Sequence, residues 1–223
     1  MAPESPHLHR NDFCAAEVDL NDPYVKLSIP MFILHKIICR NLISAASHAK
    51  SLGTSDFEAY LSYSGYVLHD LSARLSSVNE IWYPVLAQHD PRFRDLIESH
   101  KPLLTDVNLL RQFLQTLQPC PDNSIIDLVA NRLIKIQERV SPLFHLAEQL
   151  AIEKKGQTPL ATVQELITKQ LERRKELEAM YGKVWMTFYE VSSLSPEEKH
   201  VYPQIPDHLL ERLMMSGKLL FRK

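Results

Sequence analysis

Ile81–Leu104, IWYPVLAQHDPRFRDLIESHKPLL, holds a helix end, a tight link and the start of another helix. Its first part reads as the end of one helix. Asp90-Pro91 then signals a new start: an aspartate can accept the first free N–H groups, and proline has no N–H to leave unpaired. The helix that follows carries Leu96, His100, Leu103, Val107, Leu110 and Leu114 at three- and four-residue spacing, which is one apolar face. An imidazole lies inside that face, and its purpose is the functional question.

Working outward, the rest of the chain has the same character. Pro30 fits a first helical turn, and Met31, Leu34, Ile38, Leu42 and Ala45 follow as a stripe that includes His35. Ser55-x-x-Glu58 is a capping box for a second helix, with a seam at Leu61, Leu68, Leu71, Leu75, Val78, Trp82 and Val85. At 100° per residue, Glu80 projects about 160° away from Val78, off that seam. The breaker QPCPDN precedes a fourth helix from about Ser124 to Lys155, with Val129, Leu133, Ile136, Val140, Leu143, Ala147 and Leu150 on one side. Thr162-x-x-Glu165 opens a charged fifth helix, and two short helices follow Ser195 and Pro206. The expectation is an all-α chain: an irregular arm over 1–27, an antiparallel four-helix bundle over 28–160, and a C-terminal helical cap over 161–223.

The 223 residues suffice for a sizeable core. A net charge of −2 leaves no basic footprint, so nucleic acid is not an expected partner. Five glycines give little material for phosphate loops, and no P-loop, G-x-S-x-G or H-E-x-x-H occurs. Three widely spaced cysteines, Cys14, Cys39 and Cys120, suit a reducing compartment better than a disulfide framework. The run IPMFILHKIIC is too short to span a bilayer, and the N-terminus shows no apolar signal core. A cytoplasmic protein without a membrane partner is therefore expected.

Three segments carry a resemblance: HKIICRNL from His35, IWYPVL from Ile81 and LIESHKPLL from Leu96. They are similar to segments of the hemerythrin-like (HHE) cation-binding family, over about residues 30 to 160, and the layout is most similar to fungal members. The resemblance implies two irons held between four helices. It assigns one histidine each to helices one and three, and a His-x-x-x-Glu pair each to helices two and four. Such i, i+4 pairs project from one helix face. His35 and His100 match the single histidines. Counting from Pro84, the helix-two positions are Arg74 and Val78. Helix four admits two registers, His145 with Gln149 or Gln149 with Glu153, and neither restores both ligands.

A bridged di-iron centre is therefore not expected. Loss of ligands with both histidines kept would leave an apolar pocket with two proton-transfer groups, near the chemistry of small-molecule sites. The leading expectation is a cofactor-free enzyme of non-oxidative acid–base chemistry: isomerisation, dehydration or cyclisation. His35 and His100 would be acid and base, Arg74 or Gln149 would orient a substrate oxygen, and Val78, His145 and Glu153 would line the site. The substrate would be an apolar small molecule, a specialised metabolite if the fungal resemblance carries over. The alternatives are a single iron on His35, His100 and Glu153 for dioxygen, nitric oxide or iron handling, and a non-catalytic interaction module.

Overall fold

The computed structural model describes residues 22–49, 57–117, 123–154 and 156–181, with 193, 194 and 198. Among them there are helices and no strands. They are α1 (Pro23–Ala49), α2 (Phe57–Ser77), a π-helical turn (Val78–Trp82), α3 (Tyr83–Leu86), α4 (Arg92–Thr116), α5 (Asn123–Glu153) and α6 (Leu160–Tyr181). The arm up to residue 21 and the helices expected beyond 198 lie outside the described residues.

The first helix starts earlier than Pro30. Asp22 accepts the Tyr24 N–H at 2.9 Å through Oδ1, and Pro23 takes the first helical position. The same Asp-Pro signal opens α4, where Asp90 Oδ1 accepts the Arg92 N–H at 2.9 Å. α1 contacts α2 and α5, and α4 contacts the same two helices. The four therefore close a ring around one core, and short links between neighbours run them antiparallel. α6 lies outside this ring, against α1 and the π turn. Left-handed Gly156, at φ 81°, turns the chain out of α5 toward it. No described helix is long and apolar enough to cross a membrane.

The seam of α4 is buried as expected from its spacing, His100 included. The seam of α2 holds through Leu68, Leu71, Leu75 and Val78 and then shifts. The π turn places one extra residue in the helix, so the buried position after Val78 is Tyr83, while Trp82 and Val85 are only half-buried. Gln170 of α6 braces this turn, accepting from Ser77 Oγ at 2.7 Å and Trp82 Nε1 at 3.2 Å.

Val78 is 1% exposed and Glu80 is at the surface. Val78→Ala should therefore cost roughly 1.5–3 kcal/mol, the value of a buried valine. Glu80→Ala should stay within about 0.5 kcal/mol. Chemical denaturation of the two variants checks the ranking, and the reverse order would place the seam on the other face.

The core divides into two apolar clusters. One runs from Ile33, Leu42 and Leu71 to Leu103, Leu133 and Phe144. The other joins Val78, Tyr83, Phe93, Leu96, Ala147 and Leu150. Near the junction three helices carry an inward polar residue: His100 lies between Leu96 and Leu103, members of the two clusters, while Arg74 sits beside Leu75 of the first and Glu148 beside Ala147 of the second. Arg74 precedes Val78 by one turn, His100 follows Leu96 by one turn, and Glu148 follows Phe144.

Candidate active site

This polar layer is built from one inward position on each of the four ring helices. His35 of α1 is 2% exposed, Arg74 of α2 7% and His100 of α4 0%. Glu148 of α5, its side chain 20% exposed, completes the set. Apolar spacing carries these residues inward, because each occupies a seam position of its helix.

His35 stacks on Phe144, with ring centroids 3.9 Å apart and planes 5° from parallel. Its Nδ1 lies 2.9 Å from Glu148 Oε1. His100 Nδ1 lies 2.9 Å from Asn79 Oδ1, and its ring meets Tyr83 at 5.6 Å. The amide oxygen of Asn79 only accepts, so His100 donates from Nδ1 and carries a bare lone pair on Nε2. Asn79 reaches this ring from within the π turn.

Four nitrogen atoms of the layer are buried without a hydrogen-bond partner: His35 Nε2, His100 Nε2, and Nε and Nη2 of Arg74. Buried polar atoms are almost always paired, because an orphan forfeits its bonds to water. Four such atoms, from three helices, lie together in this one layer.

The electrostatics follow from burial. His35 is pushed well below the ordinary imidazole value by desolvation, then by the nearby Arg74 charge and by His100. Desolvation alone lowers His100 to about 4. Both rings are therefore neutral at pH 7. Burial raises Glu148 to about 7, against the pull of Lys36 and Arg74. Arg74 is lowered by desolvation as well, yet a guanidinium stays charged in proteins. A cation thus sits in the core beside two neutral bases and a carboxyl that is half protonated near neutral pH.

Glu148 makes stability depend on pH in a definite sense. Below about 4.5 it is protonated whether folded or unfolded; between about 4.5 and 7 only the folded chain keeps the proton. Its contribution is therefore lost as pH rises toward 7. His100 works the other way, and its contribution is lost as pH falls from 6.5 to about 4. Glu148→Gln should melt above the parent at pH 8, by up to roughly 3 kcal/mol, and match it near pH 4. Melting curves across that range check this, and a difference independent of pH would contradict it.

A cavity of about 60 Å³ adjoins the layer, lined by Met31, Trp82, Tyr83, Leu86, Phe93 and Val163 among others. It has room for a few waters. None of His35, Arg74, His100 and Glu148 lines it, and Tyr83 stands between it and the His100 ring.

The residues do not fit a di-iron centre. Such a centre needs bridging carboxylates, and α2 offers Arg74 and Val78 at its inward pair. A guanidinium whose charge reaches His35 opposes a metal cation there. No described group of three or more His, Cys, Asp or Glu side chains could hold a metal ion.

The chain is similar to xanthocillin biosynthesis cluster protein F of Aspergillus fumigatus, with 32% identity over the full length of both chains. It belongs to that protein's family. No protein-family model matches the chain, and no solved structure does.

In this member of the protein F family, the layer brings His35, His100 and Arg74 together with Val78 beside them. It does not bring in the other expected residues. His145 and Gln149 are exposed on α5 and bond to each other at 3.0 Å. Glu153 is half-exposed at the end of α5 and pairs with Arg92 at 3.0 Å. Neither register counted for this helix was the inward one: Phe144 and Glu148 face the layer, one residue before His145 and Gln149. The burial of Val140, Ala147 and Leu150 on that face was the available signal. Asn79 and Tyr83 had none, because the π turn is invisible to periodicity. Cys39, half-buried near the layer, has its thiol pushed up to about 12 by desolvation and is no nucleophile.

Proposed function

We propose that this chain is a small-molecule enzyme of specialised metabolism that performs non-oxidative acid–base chemistry in the polar layer. We read its ring of helices as a hemerythrin-like bundle, in which Arg74/Val78 and Phe144/Glu148 stand at the two His-x-x-x-Glu pairs. Two observations support the metabolic setting and the chemistry respectively. One is the relative named for xanthocillin biosynthesis. The other, which carries the reading, is the set of buried, unpartnered nitrogens on His35, His100 and Arg74.

Each has a role in a proton-transfer step. His100 Nε2, held bare by the Nδ1–Asn79 bond, is a base. His35 Nε2 is a second base when Glu148 is ionised, because the carboxylate then accepts the Nδ1–H and stabilises the imidazolium that forms. The ring that takes a proton from a substrate carbon or oxygen becomes an imidazolium, and the same ring returns that proton to another substrate atom or to a leaving hydroxyl, which restores the neutral imidazole. Arg74 stabilises the negative charge that develops between these events. Water is excluded by the apolar clusters on both sides, which strengthens every one of these interactions.

The test is metabolite profiling after deletion of the gene in the organism that carries it. The compound that accumulates should differ from the lost product by nothing, or by one water, as isomerisation or dehydration requires. A difference of an oxygen atom or a hydrogen pair would mean redox chemistry and overturn the reading.

A further inference from the structure

The two orphaned nitrogens of Arg74 are not any two. Nε–H and one Nη2–H run parallel along a single edge of the guanidinium, spaced to meet both oxygens of one carboxylate. That edge is the one left unpaired, on a side chain more than nine-tenths buried. Asp70, Glu148 and Tyr83 lie within electrostatic reach, and none bonds to it there. Of the other described neighbours, Arg174 adds a second positive charge within reach, Val78 is apolar and both imidazoles are neutral.

We propose that the polar layer binds a carboxylate, seated bidentate on the Nε/Nη2 edge of Arg74 with its apolar remainder directed past Tyr83 into the adjoining cavity. The ligand class is a small organic acid with an apolar body. In the context of the function proposed above, that acid is the substrate, its carboxylate held while His35 and His100 act on a neighbouring atom. Binding itself does not depend on that chemistry.

The probes are hexanoate and its neutral isostere hexanamide, titrated calorimetrically into the full chain at pH 8. The parent should bind the acid roughly ten- to a hundred-fold tighter than the amide, the worth of a charged hydrogen-bond pair. Arg74→Met should remove the preference. Arg74→Lys, which keeps the charge and loses the fork, should lose most of it, and melting curves confirm that both variants are folded. Equal affinities in the parent, no binding of either probe, or a preference that survives in Arg74→Met would each overturn the site. Those failures leave the imidazole chemistry to its own metabolite test. A redox mass difference in that test with the acid preference intact would sink the chemistry and leave the carboxylate site standing.

Discussion

Arg74→Met is expected to make this protein more stable, by roughly 1–4 kcal/mol. The guanidinium is taken out of water with Nε and Nη2 unbonded, and the attraction of Asp70 and Glu148 offsets only part of its desolvation cost. Methionine has similar length and no polar atoms, and it would join the apolar clusters that Leu71, Leu75 and Val78 already form on α2. Replacement of buried charges by well-packed apolar residues is commonly neutral or stabilising by this amount. Arginine retained at a cost to stability is what a binding residue looks like. Thermal and chemical denaturation give the answer. If the variant instead lost 3–5 kcal/mol, Arg74 would be a paired structural cation and the binding role would fall.

The second large effect falls on turnover. His100→Gln and His35→Gln should each reduce the rate by roughly 10²–10⁴-fold, the usual worth of a positioned acid or base. The amide occupies a similar volume, so helical content should stay as it is and the melting point should move little. His100→Asn, whose amide nitrogen falls where Nδ1 was, is the companion variant that keeps a donor for Asn79. The assay is conversion of the compound that accumulates on gene deletion. Variants that fold and turn over like the parent would remove the histidines from the chemistry.

The parts legible in the sequence were those written in spacing. The α4 face from Leu96 to Leu114 and the buried side of α5 follow from helical periodicity, and His35 and His100 were singled out because each interrupts an apolar stripe. The start of α1 is legible too, since Asp22-Pro23 repeats the Asp90-Pro91 signal, although Pro30 offers a competing first turn seven residues later. The Glu148 position was recoverable from the α5 stripe, and counting from proline landmarks misplaced it by one residue. The π turn at Val78–Trp82 was not legible. It is braced by Gln170, from a different helix, and its extra residue accompanies the placing of Asn79 against His100 and of Tyr83 in the core. Periodicity assumes a regular helix, so it predicted Trp82 and Val85 where the extra residue had shifted the seam.

The proposed chemistry requires two neutral imidazoles with bare Nε2 atoms, buried in the same layer as a guanidinium. Long-range proton–nitrogen correlation spectra of the histidine side chains test it most directly. At pH 8, His35 and His100 should both appear as neutral rings protonated at Nδ1, and His100 should stay neutral on titration down to about pH 5. A ring protonated at Nε2, or an imidazolium at either position at pH 8, would contradict it.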